Sequence, residues 1–439
     1  MKQLGCSRVV CCGNGEMGQL PTQRESDKKF RAVTWPPALL KEADKNFIAV
    51  TASGLHTLVL LADGRIISCG VNDEGALGRG TEDEDAARVP AFVEGLPKQG
   101  DPVIAIAAGD SYGAALTEQG LVWAWGTFRG QSGQVGLGVV REQRGGRRGF
   151  HETIIGKSTE PHLLYEPPDY HRKAVDLSGG ANHVVLLLAD GEMMTAGVGI
   201  CGQLSRISAR LLASYHEADH RLSKMMLTPA LVQLPKSVKR VERVWATSYA
   251  TYALCLDKDK QVLYASGLNN YGQLGVEDVL DEETGVPANA DYLKPAVKLN
   301  SLDRLDPAGW THFAGDHHLI ARHNSGAVYG MGRTEDARLG QEEEEAHRQL
   351  TPRRLWEQNA LAVSASSSSS FILAQESEMS RALHAFGLNM HGELGLGLEE
   401  GDTSEPKQVT SKHLANEEEE WSIEMVAAAE QHTVLLAYR

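Results

Sequence analysis

A glycine that closes a short apolar strand recurs at Gly13, Gly70, Gly126, Gly197, Gly267, Gly332 and Gly387, at intervals of 55 to 71 residues. A second signal follows six of the seven: Gly18-Gln19-Leu20, Gly75-Ala76-Leu77-Gly78, Gly202-Gln203-Leu204, Gly272-Gln273-Leu274-Gly275, Ala337-Arg338-Leu339-Gly340 and Gly392-Glu393-Leu394-Gly395. After Gly126 the counterpart is Gly136-Leu137-Gly138, displaced by extra residues. Upstream sit Asp63-Gly64, Gln119-Gly120, Asp190-Gly191 and Ser325-Gly326. Such dipeptides permit the positive φ angles that two-residue hairpin loops require. The stretch from His56 to Arg79 shows the whole unit: strand, tight turn, strand ending in Gly, polar loop, then G-x-L-G. A unit copied at this period is one supersecondary element that buries its faces only against its neighbours.

The two ends of the chain complete each other. Val9 to Gly13 reads as the second strand of such a hairpin, and Gln431 to Leu436 as the first. Joining them makes a seventh unit and closes a ring, which leaves no long open sheet edge. The expectation is an all-β, seven-bladed β-propeller with four-stranded blades, closed by pairing the N- and C-terminal segments in one blade. Residues 1–8 are a short arm and residues 9–439 form one propeller. This overrides the two or three domains that 439 residues would otherwise suggest.

The formal net charge of −15 opposes a general grip on nucleic acid and favours a basic protein partner or simple solubility. The six cysteines show no metal spacing and no disulfide framework, as for reduced thiols inside a cell. No apolar run is long enough to span a bilayer, no signal-peptide core precedes Cys12, and no dense Lys/Arg import tract is evident. One segment departs from the acidic balance. Residues 141–157 hold Arg141, Arg144, Arg147, Arg148 and Lys157 against Glu142 and Glu152, so this insertion is either a solvated loop or a basic finger for an acidic patch or phosphate backbone.

Two stretches match G-x-G-x-x-G, Gly13 to Gly18 and Gly197 to Gly202. A dinucleotide site needs a helix to open after the glycines. Both stretches occupy the same phase of the repeat, where other copies lack the middle Gly, so they belong to the scaffold. Gly156-Lys157-Ser158 lacks the upstream Gly of a phosphate loop. Histidines recur at one phase: His56, His183, His317 or His318, and His432. Either each imidazole bonds to a neighbouring blade, or together they form a polar ring at one mouth of the central channel. Ser366 to Ser370 replaces this pattern and reads as a degenerate copy. No nucleophile–base–acid set and no metal site is legible.

The repeated phrase, with CGVNDEGALGR, AGDSYGAALTEQG and WAWGTFRG, resembles the regulator of chromosome condensation family over nearly the whole chain, from about Val9 to Tyr438. TFRGQSGQVGLG resembles the β-wedge of those members that act as guanine-nucleotide exchange factors for the small GTPase Ran. The resemblance implies a propeller that binds Ran with one face and accelerates GDP release without covalent chemistry or a cofactor, as a monomer at chromatin in the nucleus. Carried over by motif position, the wedge is Thr127, Phe128, Arg129, Gly130, Gln131, Ser132, Gly133 and Gln134. Asp110, Asn182 and His317 are the functional turn residues, with Glu16, His56 and His432 on the same face. The chain departs from the family in four respects. Asn182 stands where the exchange factor has Asp, and Gly130-Gln131-Ser132 stands where the wedge pattern is Asp-Asn-Asn. The family's basic N-terminal tail and its arginine-rich loop after the fourth unit have no counterpart. Contact with histones or nucleosomal DNA then falls to Arg141, Arg144, Arg147 and Arg148. The alternative is a non-catalytic propeller adaptor that holds another GTPase or an unrelated protein with the same face.

Overall fold

The computed structural model describes residues 6–41, 46–81, 83–97, 100–143, 150–215, 219–276, 294–295, 306–341, 347–377, 380–415 and 420–439. Seven four-stranded antiparallel sheets form the ring of the expected propeller. The closing blade takes Ser7–Asn14 and Ser26–Ala32 from one end of the chain and Ser422–Ala428 and His432–Tyr438 from the other. Val9 pairs with Leu436 and Gly13 with His432, so the first and last strands of the chain are neighbours. Ser7 and Arg8, assigned above to an arm, already lie in this strand, because they pair with Tyr438 and Ala437 and Ser7 is buried.

All seven strand-ending glycines have positive φ, from +84° to +128°. The reason is a close approach. A Cβ on Gly70 would lie 2.2 Å from the Leu55 carbonyl oxygen. In each blade the residue after this glycine donates its N–H back across the turn. Val71 N–H bonds Leu55 O, Thr127 bonds Ser111 O, Val198 bonds Asn182 O and Arg333 bonds His317 O, all at 2.7–3.0 Å. The turn chemistry therefore fixes where each inner hairpin ends.

The second strand of each blade is sandwiched by neighbouring blades and mostly buried, throughout its length in His56–Leu61, Tyr112–Thr117 and His183–Leu188. Burial on both faces explains their nearly continuous apolar runs. The first strands line the channel, with small residues such as Ala108, Gly179, Ala246 and Ser364 along it. The core is divided among the seven junctions between blades, each with its own apolar cluster; Val184 and Leu186 meet Tyr112 and Phe128 at one, and Leu435 meets Phe371 at another.

The recurring histidines serve these junctions. His432 Nε2 lies 2.9 Å from Thr57 Oγ1, His183 Nε2 lies 3.1 Å from Thr251 Oγ1, and His318 Nε2 lies 3.0 Å from Ser370 Oγ. Each hydroxyl belongs to the next blade and donates its proton back, to the carbonyls of Gln19, Gln203 and Arg338 respectively, all at 2.8 Å. Those carbonyls are the middle residues of the G-x-L signals. Since a hydroxyl has one proton, the imidazole must be the donor, through Nε2–H. His318, not His317, is thus the member of the repeat. Ser370 performs the role of Thr57 and Thr251, so the serine run retains this part of the pattern.

The exception is His56. The next blade offers Gly113 at the hydroxyl position, and Trp125 fills the space; its Nε1–H donates to Ala76 O at 2.8 Å. His56 Nε2 is left without a hydrogen bond. His56 and His432, placed above among partner-contacting residues, are 1% and 0% exposed. Burial holds both imidazoles neutral, with pKa values lowered to about 4 and about 3. Both side chains lie in the walls between blades, and His56 also lines the cavity described below.

Candidate functional site: the wedge and the channel mouth

The extra residues after Gly126 form two hairpins. The first, Phe128–Gly130 with Gly133–Gly136, is a hairpin at the place where the wedge is expected. The second, Gly138–Gln143 with Phe150–Ile155, is a separate two-stranded arm. The arm carries Arg141, which is exposed and paired with Glu152 at 2.8 Å. Arg144, Arg147 and Arg148 lie outside the described residues.

The wedge residues do different jobs. Thr127 and Phe128 are fully buried. Phe128 packs on Tyr112 with ring centroids 4.6 Å apart, and Thr127 Oγ1 donates to Gly156 O at 2.8 Å. Phe128 is therefore the root of the hairpin and is covered on all sides. Arg129, Gln131, Ser132 and Gln134 are exposed, and Gly130 and Gly133 make the tip partly exposed. Two flanking blades grip Arg129. Its N–H donates to Asn182 Oδ1 at 2.7 Å, and its guanidinium pairs with Glu74 at 3.2 Å.

A helical insert braces the base of the hairpins. The segment after Leu204, where no family-like arginine loop was legible, contains helices Ala209–Ala213 and His220–Leu227. Asp219 caps the second by accepting from the N–H groups of Arg221 and Leu222. Arg206 closes its other end, donating to the carbonyls of Met225, Met226 and Thr228. Leu227 then packs in the cluster of Phe128 and Leu137, and Lys224 Nζ donates to Glu152 O of the arm at 2.6 Å. The basic residues of this insert thus include structural ones.

The wedge overhangs the mouth of the central channel, which opens into a cavity of about 750 Å³. The turns between the first two strands of six of the seven blades supply the rim. Asp110, Asn182, Tyr249, His317 and Glu430 reach the cavity from five blades, together with Asp73 and Glu74. Asp110, Asn182 and His317 are therefore brought to one cavity. Asn182 Nδ2 donates to Asp110 Oδ2 at 2.9 Å. His317 Nδ1 lies 2.9 Å from Asp316 Oδ1, and the ring is flanked edge-on by Tyr249 and Tyr271. Glu16 is exposed in the loop after the strand Ser7–Asn14 of the closing blade, outside the cavity lining, and its N–H bonds Asn14 Oδ1.

The mouth is acidic and partly desolvated. Burial, reinforced by Glu430 and Asp316, raises Asp110 to a pKa of about 7. Burial and then Asp316 raise Glu430 above the usual carboxylate range. The sequence reading missed Glu74, Tyr249, Asp316 and Glu430. The available signal was positional: each sits at, or beside, the repeat phase of a residue that was named. Among the described residues no three His, Cys, Asp or Glu side chains are placed to share a metal ion, and no helix is long and apolar enough to cross a membrane.

The match of residues 8–435 to the RCC1-like domain spans almost the whole ring. This chain belongs to the RCC1-like family. It is 30% identical to the regulator of chromosome condensation of Xenopus laevis over 434 residues, covering 98% of this chain and 89% of that protein. It is 27% identical to the guanine nucleotide exchange factor SRM1 of Saccharomyces cerevisiae, over 76% of this chain and 66% of that protein. The crystal structure of Prp20p from Saccharomyces cerevisiae, described with its binding properties to Gsp1p and histones, superposes with a TM-score of 0.78 at 24% identity. The superposition covers 99% of this chain and 92% of that one. This last likeness supports the RCC1-like propeller as a fold.

Proposed function

We propose that this RCC1-like chain is a guanine-nucleotide exchange factor for the small GTPase Ran, promoting GDP release and GTP loading at chromatin in the nucleus. The observation that carries the reading is the wedge: an exposed tip on a buried root, gripped by two neighbouring blades beside a 750 Å³ acidic mouth. The name of the SRM1 relative and the description of Prp20p with Gsp1p and histones support it.

The physical demand on such a protein is severe. A nucleotide held at ~1 pM is bound by about 16 kcal/mol. An exchange factor must supply rival contacts of comparable strength to the empty GTPase, through a transient ternary complex. A hairpin that moved on contact would spend part of that energy on its own ordering. Phe128, Thr127, Asn182 and Glu74 remove this cost by holding the wedge beforehand. The acidic mouth suits a basic surface on the partner. Histone or DNA contact is assigned to the arm, through Arg141 and the basic residues beyond it.

The test is release of labelled GDP from purified Ran, with and without this protein, under excess GTP. Strong acceleration is expected. No acceleration by folded protein would move the reading to a non-catalytic adaptor on the same face.

A further inference from the structure

A second cavity, of about 650 Å³, lies at the outer rim of the ring. It opens between the closing blade and the blade before it, beside the turn that joins strand Ser369–Gln375 to strand Arg381–Gly387. The opposite end of Ser369–Gln375 leads to Ser366 and Ser367, which line the channel with Asp110 and Glu430. A strand of this length puts roughly 20 Å between its ends. The cavity is therefore remote from the mouth, and the exchange reading makes no use of it.

Its floor is apolar and its rim is basic. Phe30, Leu383, Leu414 and Ile423 line it and are buried. Lys29, Arg31, Arg381 and Lys412 stand around them, against Glu376 and Glu420. This is an excess of cations on a chain whose net charge is −15. Part of it is left uncompensated, because the one carboxylate of Asp27 serves both Arg24, at 3.1 Å, and Arg31, at 2.6 Å. His413 senses the resulting field. Burial, followed by Arg31, Lys412 and Arg8, holds its imidazole below the ordinary value, with Asp27 acting the other way. The walls are already in place. Ser411 Oγ donates to Phe30 O at 2.6 Å, and the Trp421 N–H donates to Leu414 O at 2.8 Å. Arg8 donates to His413 O at 3.1 Å and stacks 3.8 Å over the Trp421 ring. A cleft held this way spends little on its own ordering when it is filled.

We propose that this cleft docks a short acidic peptide segment of another protein, with a carboxylate beside Arg31 and Lys412 and an apolar side chain on the floor. Charge complementarity selects the acid, and the buried apolar floor selects a peptide over a bare anion. Duplex nucleic acid fits less well. Its phosphates need a basic track that continues along the surface. Here Glu376 and Glu420 interrupt the rim, and Arg381 is already paired with Glu424. A duplex also offers no apolar side chain to the floor.

The probe is a short fluorescein-labelled peptide of alternating Glu and Leu, titrated into the full chain and followed by anisotropy. A Kd of about 100 μM or tighter is expected, weakening as salt is added. Replacing every Glu of the peptide by Gln should abolish binding, and replacing every Leu by Ser should weaken it. In the protein, Lys412→Glu and Arg31→Gln should each weaken binding at least about fivefold. Lys412 is exposed, so Lys412→Glu should keep the wild-type melting temperature even if Arg31→Gln does not. No binding to wild type overturns the proposal. So does equal binding by folded Lys412→Glu, or equal binding of the Gln peptide. A duplex oligonucleotide that displaces the peptide and is itself weakened by Lys412→Glu also overturns it, in favour of a phosphate backbone. GDP release from Ran should be unchanged in Lys412→Glu. If wild type fails to act on Ran, the exchange reading falls, and the peptide titration still decides the cleft.

Discussion

His432 Nε2 donates to Thr57 Oγ1 across 2.9 Å, although 375 residues of chain separate them. Thr57 passes its proton to Gln19 O, so one hydroxyl links the last strand, the first loop and the second blade. The ring is thus closed by a buried polar relay as well as by the pairing of the terminal strands.

Thr57→Val keeps the shape and removes this relay. It strands the His432 N–H and the Gln19 carbonyl in a dry junction. A loss of about 2 kcal/mol is expected, read as a lower midpoint in urea unfolding. Thr251→Val should cost a similar amount, because it breaks the same relay between His183 and Gln203.

The neutral histidines predict acid sensitivity. Burial lowers His183 from its ordinary value of 6.5 to about 4 in the folded state. Between those values the unfolded chain binds the proton that the folded one refuses, so His183 destabilises the fold as pH falls from 6.5 to 4 and adds nothing further below that. The change is up to about 1.4 kcal/mol per pH unit. Asp110, raised to about 7, acts in the opposite sense over the same window. The quantity to measure is therefore the difference between wild type and His183→Gln, whose unfolding free energy should fall less steeply with acid.

Glycine substitutions should separate sharply by place. Gly70→Ala puts a methyl 2.2 Å from Leu55 O at a φ of +122°, and should cost at least about 2 kcal/mol. Gly80→Ala meets nothing within 4 Å and has no positive φ, so it should stay within about 0.5 kcal/mol. Thermal unfolding of the two variants checks both.

The wedge must be shortened without removing its root. Arg129 pairs with Gln134, so Gly130 to Gly133 can be replaced by a two-residue turn while Phe128 stays in the core. GDP release from Ran should fall by about 10²-fold or more, with the melting temperature nearly unchanged. Deleting Phe128 as well would expose the Tyr112 cluster and confuse lost function with lost fold.

Much of the architecture was legible in the chain because its determinants are local. A glycine at positive φ, a two-residue turn and a buried apolar strand each act within a few residues, and their recurrence gave the blade count, the four-stranded unit and the shared closing blade. The wedge was legible as an interruption of that rhythm. The division of labour among the histidines was not. His317 and His318 are adjacent in sequence, yet one faces the mouth and the other the next blade. That choice depends on the stagger between blades, which no single repeat encodes. Nor could the chain show that Phe128 is a root and Arg129 a gripped tip, since both sit in one short hairpin.

The sequence by itself determined that this protein is a closed ring of seven repeated sheets with an insertion after the third inner hairpin. Only the tertiary structure decided that Asp110, Asp316 and Glu430 meet at one mouth, and that Asn182 joins that mouth to the wedge. The reason is geometric: ring closure brings together turns that lie hundreds of residues apart, and their charges and hydrogen bonds exist only once the blades are set side by side.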